Sequence, residues 1–238
     1  MEINVLDHGL VRLIDHMGDD LSIVRNARVS YDAAWRAGED EGSDTRLLRY
    51  LYNNKHNTPF EAVTLTFEVK APIFVLRQWH RHRTQSYNEL SARYRELPDT
   101  WYVPELNQIT TQHTDNKQMR TDIVNPSSPM IQLLIDENNA AAYDVYKELI
   151  DLGCPREIAR SVLPMGMYSH MFCTMNLHNC FGFLRERLHD HAQYEIRVYA
   201  QAILKLLAGV APISQQIFIN SLGEGYESSL SEMQRIGG

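Results

Sequence analysis

The sequence predicts a single α+β domain. Its 238 residues are enough to bury a sizeable core, yet they stay within the usual size of one domain. Segments with strand alternation and segments with helical spacing follow one another along the chain. We find no internal repeat, no coiled-coil heptad pattern and no linker long enough to divide the chain. The domain is therefore predicted to span residues 1–238.

The first third of the chain carries the clearest elements. The run 63–69 predicts a strand because it is rich in β-branched residues and alternates between apolar and polar positions. Pro72 suits the first turn of a helix, which apolar residues continue to Trp79. The other elements predicted here are two short strands within 2–17 that turn at residues 7–9, a helix that starts at Asp19-Asp20, a loop over 34–43 and a helix over 44–54.

The rest of the chain is predicted to be mainly helical. The segment 98–129 is polar and contains four prolines, so we expect loops there. Helical periodicity resumes after it, and an apolar run close to residue 170 fits a strand. The predicted elements are a helix over 130–151 that stops at Gly153 and restarts after Pro155, a strand over 166–176, and helices over 178–188 and 191–208, or one continuous helix.

Composition and charge argue against several classes of protein. The net charge of -7 disfavours general binding to nucleic acids and acidic membranes, which repel an acidic surface. The N-terminus lacks the pattern of a signal peptide, and the most apolar stretch, 202–213, is too short to span a bilayer. The three cysteines form neither a disulfide framework nor a CxxC motif. We therefore expect a cytoplasmic protein that binds neither nucleic acid nor membrane.

A basic cluster, residues 77–95, stands out in this acidic chain. It contains five arginines and one acidic residue, Glu89. A guanidinium group presents a planar fork of donors that matches phosphate oxygens. The cluster follows a helix with an apolar face, so we expect the core to hold its base while its tip turns outward. An anionic small molecule is the predicted ligand, and a solvated basic face with an i,i+4 pair between Glu89 and Arg93 is the alternative.

The same cluster contains two histidines that invite a metal-binding interpretation. His80 and His82 are two residues apart, a spacing that can supply two ligands from a strand. The flanking arginines would repel a cation, and no carboxylate cluster lies nearby in the sequence. We therefore expect no metal site.

A second polar pattern lies near the end of the predicted helices. Arg187, His191 and Glu195 occupy positions i, i+4 and i+8, which would place them on one stripe of a helix. Polar groups beside an apolar face need partners. The stripe is therefore expected either to bind a ligand or to satisfy its own hydrogen bonds.

The basic cluster resembles a known family. Arg81-His82-Arg83, followed by seven residues and Ser91, is similar to the signature of flavin-dependent thymidylate synthases. Other blocks resemble that family in the same order: 20–30, 56–61, 70–74, 155–160, 162–164 and 187–197. The resemblance covers about residues 1–210. It is strongest over 1–97 and 140–210, and 98–129 is a variable loop region.

The resemblance implies a fold and a reaction. The fold would be a central, mostly antiparallel sheet flanked by helices, assembled as a homotetramer with shared active sites. The reaction would convert dUMP to dTMP, with 5,10-methylenetetrahydrofolate as carbon donor and FAD, reduced by NADPH, as hydride source. Small-molecule substrates are thus the implied partners, and FAD is the implied cofactor.

The resemblance also implies site residues, by position. Arg187 would be catalytic, because its cation beside the uracil ring would stabilise developing negative charge. The dUMP site would comprise Gln78, Trp79, His80, Arg81, Glu89, Leu90, Ser91, Ala92, Arg93, Arg160 and Arg187. The FAD site would comprise Ser30, His56, Thr58, Arg81, His82, Arg83, Glu89, Asn176, His178, Gly182 and His191. At two of these positions relatives carry other residues: a polar flavin contact is frequent at Gly182, and some relatives have arginine at His178.

Three other functions make different demands on the sequence. A thymidylate synthase of the other class would need a nucleophilic cysteine, and none of the three cysteines has an activating sequence context. A non-catalytic nucleotide- or RNA-binding module would use the basic cluster without a flavin. A family member that kept its fold and lost turnover is a third alternative.

Overall fold

The computed structural model describes residues 1–235, and residues 236–238 of the predicted domain lie outside the described residues. The strands are β1 Glu2–Val5, β2 Gly9–Met17, β3 Thr64–Pro72, β4 Ser86–Glu89, β5 Thr110–Gln112, β6 Arg120–Val124 and β7 Tyr168–Asn176. The helices are α1 Asp20–Arg28, α2 Glu41–Asn53, α3 Ile73–Trp79, α4 Ser128–Asp151, α5 Arg156–Ala159, α6 Leu177–Leu188, α7 Tyr194–Leu207, α8 Pro212–Ser221 and α9 Glu227–Met233.

The central sheet has five strands in the order β1-β2-β3-β7-β4, and every neighbouring pair is antiparallel. The predicted α+β class with an antiparallel sheet is thus confirmed. Alternation explains the layering: in β3, Leu65, Phe67 and Val69 are fully buried, while the residues between them are partly exposed. Helix α7 supplies much of the rest of the core, because most of its residues are buried.

Most predicted elements of the first third are confirmed. The turn at residues 7–9 joins β1 to β2, and Asp19 caps α1 by accepting a hydrogen bond from the Ser22 backbone. Helix α3 starts directly after Pro72. The predicted loop over 34–43 is wrong at its end, because Asp40 caps α2 and the helix begins at Glu41.

The sequence predicted loops over 98–129, but this segment also contains two strands. Its strands β5 and β6 pair as an antiparallel hairpin. Thr111 and Thr121 hydrogen-bond across the hairpin with their hydroxyl oxygens 2.6 Å apart. The hairpin forms because threonine is β-branched and favours strands even in a polar segment.

The chain between residues 188 and 194 turns, so the alternative of one continuous helix is wrong. Helix α6 ends at Leu188, and α7 begins at Tyr194. The C-terminal segment holds the turn, because the Asp190 backbone N–H donates to the Gly225 carbonyl at 2.8 Å. The predicted single stripe of Arg187, His191 and Glu195 is therefore also wrong.

A buried aspartate at the start of α1 contacts the first turn of α8. Asp20, 7% exposed, accepts hydrogen bonds from the backbone N–H groups of Ile213 and Ser214 at 2.8 and 3.0 Å, and from the Ser214 hydroxyl. These N–H groups belong to the first turn of α8, where no intrahelical partner exists.

We expect Asp20→Ala to lower the free energy of unfolding by about 2 kcal/mol, because it leaves buried donors at the α8 N-terminus unsatisfied. Urea denaturation measures the change. Asp144→Ala, at an exposed position on α4, is the matched control and should change stability by less than about 0.5 kcal/mol. Equal effects of the two substitutions would contradict this role of Asp20.

Among residues 1–235, no helix is long and apolar enough to cross a membrane.

Candidate active site

The basic cluster is anchored by the core at its N-terminal end. Trp79, the last residue of α3, is fully buried, and its ring stacks on Phe183 of α6. Its indole N–H donates to Gln85 Oε1 at 3.1 Å, and the Tyr87 hydroxyl donates to the His82 carbonyl at 2.6 Å. These contacts shape the turn between α3 and β4. The expectation of a buried base with an outward tip is confirmed, since Arg81 and Arg83 are exposed.

The first pocket has a volume of about 700 Å³ and lies beside β4 and the segment after it. Six residues of the predicted dUMP set line it: His80, Glu89, Leu90, Ser91, Ala92 and Arg160. Sequence reasoning missed several other lining residues, among them Arg77, Glu157, Ser161 and Ser169. Arg77 and Ser161 directly precede or follow predicted residues, and this adjacency was the available signal.

The polar groups of the first pocket include an ordered carboxylate and a cation without a partner. Glu89 accepts a hydrogen bond from the buried Ser169 hydroxyl at 2.7 Å, and its other oxygen lies 4.0 Å from His80 Nε2. The Arg160 side chain forms no hydrogen bond or ion pair with any residue in the range 1–235. Such a guanidinium retains all its donors for an anionic ligand.

Two other members of the predicted dUMP set lie differently. Arg93 does not line the first pocket but forms an exposed ion pair with Glu157 at 3.4 Å. The predicted alternative, a helical pair of Glu89 with Arg93, is wrong because Glu89 lies in β4 rather than in a helix. The Trp79 side chain has no exposed surface and instead supports the turn.

A second polar group surrounds Arg187 of α6. The Arg187 Nε donates to His82 Nε2 at 3.0 Å, and Nη2 lies 3.4 Å from the Gln78 backbone carbonyl. Burial lowers the pKa of Arg187 from its usual value. Burial, and secondly the charge of Arg187, lower the pKa of His82 to about 4. A neutral imidazole therefore accepts a hydrogen bond from a partly desolvated guanidinium.

We expect the His82 imidazole to remain neutral to about pH 5, as measured by NMR titration with the His82 signal assigned from His82→Gln. In Arg187→Ala the pKa of His82 should rise yet stay below its ordinary value, because burial is the larger cause. Since the folded pKa lies below the unfolded one, this group destabilises the fold as the pH falls from about 6.5 towards 4. A midpoint near 6.5 in the unsubstituted protein would contradict the burial of a neutral imidazole.

The second pocket, about 540 Å³, lies between α2, the segment after it and α6. His178 and Gly182 of the predicted FAD set line it, together with Lys55, Asn57 and Arg185, which sequence reasoning missed. A Cβ atom built at Gly182 would meet nothing within 4 Å, so this position leaves the wall open. Arg185 lies two residues before Arg187, so its basic charge near the predicted catalytic residue was the available signal.

The other predicted FAD residues lie in several different segments of the chain. His56 and Thr58 flank Asn57 in sequence, and Asn176 caps α6 by accepting a hydrogen bond from the Asn179 backbone at 2.8 Å. Ser30 is exposed after α1, and His191 is exposed in the turn between α6 and α7. Glu89 belongs to the first pocket, and the two pockets share no lining residue. The chain therefore does not gather the whole predicted set into one pocket.

The cysteines do not resemble nucleophiles. Cys173 and Cys180 are buried, and burial raises the pKa of Cys173 to about 12 and that of Cys180 further. Cys154 lines neither pocket. Within residues 1–235, no group of three or more His, Cys, Asp or Glu side chains is arranged to hold a metal ion.

Comparisons with known proteins identify the family of this chain. The family model described as thymidylate synthase complementing protein matches residues 12–213. A flavin-dependent thymidylate synthase of Thermotoga neapolitana is 43% identical over 225 residues, which cover 94% of this chain and 97% of the relative. One of Treponema pallidum is 42% identical over 228 residues, which cover 95% of this chain and 74% of the relative.

A solved structure with a similar fold supports the same family assignment. The UMP/dUMP methylase PolB from Streptomyces cacaoi, bound with 5-Br dUMP, superposes with a TM-score of 0.83 and 34% sequence identity. The superposition covers 92% of this chain and 97% of that protein. By sequence over most of its length and by fold, this chain belongs to the family of flavin-dependent thymidylate synthases.

Proposed function

We propose that this protein converts dUMP to dTMP. The balanced reaction consumes dUMP, 5,10-methylenetetrahydrofolate, NADPH and a proton, and it releases dTMP, tetrahydrofolate and NADP⁺. Family membership supports the proposal. The observation that carries it is the first pocket, where Ser91 of the family signature and the partner-free Arg160 face the same space.

The nucleotide phosphate is proposed to bind in the first pocket. Ser91 offers a hydroxyl, Arg160 offers a guanidinium, and Arg93 lies two residues after Ser91 on the exposed surface. Charge-assisted hydrogen bonds of this kind are the strong ones for phosphate oxygens. The uracil ring is proposed to bind near Arg187, whose partly desolvated cation stabilises negative charge on the ring more effectively than a hydrated one.

A second group of hydrogen-bond donors fits FAD. The Arg81 and Arg83 side chains form no hydrogen bond or ion pair within the described part of the chain, so both are available to a diphosphate. The open wall at Gly182 and the polar side chains of His178 and Asn57 fit an extended polar ligand. FAD supplies the hydride-transfer chemistry when bound, while the protein supplies orientation and charge.

The active site is proposed to be shared between copies in a homotetramer. The support is that Arg187 lines neither pocket, and that the two pockets have no residue in common. Helix α4 also exposes several large apolar side chains, including Met130, Leu133 and Leu134, which a second copy could cover. NADPH as reductant and a cytoplasmic location complete the proposal.

An absorbance spectrum of the purified protein, followed by anaerobic addition of NADPH with and without dUMP, tests this function. Oxidised flavin bands that bleach with NADPH, followed by dTMP formation after methylenetetrahydrofolate is added, are the expected result. UMP is assayed in parallel because a structural neighbour is a UMP/dUMP methylase. A colourless protein that takes up no FAD, even with dUMP, would instead favour the non-catalytic binding module.

A further inference from the structure

A buried carboxylate lies near Arg187 but lines neither pocket. Glu195, in the first turn of α7, is 4% exposed. Its Oε1 accepts hydrogen bonds from the Tyr102 hydroxyl at 3.2 Å and from Arg120 Nη1 at 3.3 Å. Its Oε2 accepts one from the Gln193 amide nitrogen at 2.7 Å. All the partners are donors, as an ionised carboxylate requires.

This carboxylate determines the orientation of two amides in series. Because an ionised carboxylate only accepts hydrogen bonds, the Gln193 NH₂ group must face Glu195. The Gln193 carbonyl oxygen then faces Gln78 and accepts a hydrogen bond from the Gln78 side-chain nitrogen. The remaining atom of that amide, Gln78 Oε1, has no hydrogen-bond partner within residues 1–235. It is therefore presented as an acceptor.

The position of Gln78 gives that acceptor a function. Its backbone carbonyl lies 3.4 Å from Arg187 Nη2, so Gln78 and the proposed uracil-facing cation are neighbours. Uracil carries a hydrogen-bond donor at N3, whereas cytosine carries an acceptor there. An oriented carbonyl would pair with the first base and leave two acceptors opposed with the second, which costs affinity.

We propose that Glu195 and Gln193 are positioning residues that orient the Gln78 amide, so that its Oε1 accepts from the uracil N3–H group and discriminates against cytosine. The inference rests on the proposed placement of the nucleotide base beside Arg187. Arg120, from the hairpin of β5 and β6, holds the outer end of this relay through its ion pair with Glu195. A segment predicted from the sequence to be a variable loop thus contributes to substrate selection.

A purely structural role makes a different prediction. If Glu195 only fastened the hairpin to α7, its loss would reduce stability and would weaken the binding of all nucleotides alike. The relay instead affects the ratio of affinities for uracil and cytosine nucleotides. Gln193 provides the cleaner test, because its side chain is exposed and its removal leaves Tyr102 and Arg120 on Glu195.

The test is isothermal titration calorimetry of the FAD-loaded protein with dUMP and with dCMP. In Gln193→Ala we expect the preference for dUMP over dCMP to fall about tenfold, as for one lost discriminating hydrogen bond, with flavin content unchanged. Glu195→Gln, which keeps the side-chain shape and frees the amide orientation, should also lower the preference. Gln216→Ala, an exposed helical glutamine that contacts Asn220, is the matched control.

Two results would overturn the inference and are distinguishable from each other. An unchanged preference in Gln193→Ala, together with a lowered preference in Gln78→Ala, would show that Gln78 contacts the base without being oriented by the relay. Unchanged binding of both nucleotides in Gln78→Ala would show that the base does not lie beside Gln78, so the proposed nucleotide placement would fail as well.

Discussion

Arg187→Ala is expected to reduce the turnover number by roughly 100- to 1000-fold, the usual cost of removing one charge-stabilising group from an active site. Flavin content and the melting temperature should stay close to those of the unsubstituted protein. Arg187 is only partly buried, and its side chain contacts the His82 ring and a backbone carbonyl rather than packing in the core. Steady-state kinetics with saturating dUMP and single-turnover flavin oxidation provide the measurement.

The physical reason lies in the environment of the guanidinium. Burial lowers the pKa of Arg187, which means that its cation is poorly solvated. No carboxylate forms an ion pair with it within residues 1–235, and the charge of neighbouring Glu186 offsets the effect of burial on its pKa only in part. A partly desolvated cation without an ion-pair partner interacts strongly with charge that develops on a neighbouring ring.

Two further variants make this result specific. Arg187→Lys keeps the charge but loses the planar fork, so its activity should fall between that of alanine and arginine. Arg36→Ala removes an exposed arginine whose ion pair with Glu39 lies on the surface, and it should leave turnover unchanged. Turnover in Arg187→Ala within twofold of that in Arg36→Ala would remove Arg187 from the catalytic role.

The sequence predicted the elements whose causes are local. The strand β3 follows from its own alternation, and α1 follows from Asp19 at its cap. The burial of Trp79 was also predictable, because it shares one face of α3 with Val75 and Leu76. The resemblance to the family signature placed Trp79 in the predicted dUMP set instead, although the helical phase directs its ring to the core.

What the sequence missed depends on residues far apart in the chain. Strand β4 forms because Ser86 and its neighbours pair with β7, more than eighty residues later. The turn between α6 and α7 is held from Gly225, which no pattern near residue 190 reveals. The relay from Arg120 to Glu195 likewise joins a variable hairpin to a helix seventy-five residues away. Non-local contacts of this kind have no periodic signal.

The second large effect concerns whether one chain contains a complete active site. Arg160→Glu places a negative charge in the first pocket at an exposed position, so the fold should persist while the KM for dUMP rises roughly 100-fold. Arg187→Ala removes the proposed catalytic guanidinium group. At a dUMP concentration near the ordinary KM, each variant alone is expected to be almost inactive.

Mixed oligomers of these two variants should regain activity if Arg160 and Arg187 of one site come from different copies. Random mixing would then leave about a quarter of the sites with both native arginines, and a quarter of the turnover should return. The variants are coexpressed with different affinity tags, and the doubly tagged species is assayed. Arg187→Ala coexpressed with the double variant Arg160→Glu/Arg187→Ala is the control, because no mixed site can then contain Arg187.

The outcome separates an active site built within one chain from an active site shared between two copies. In the doubly tagged species, recovered activity would mean that the proposed phosphate-binding surface around Ser91 and the surface around Arg187 meet only across an interface. Activity no higher than that of the control would place both arginines of each site in one chain. Since the Arg187 guanidinium lines neither pocket of the chain, a second copy is the simplest way to bring it to a nucleotide bound at Ser91, and we expect recovery.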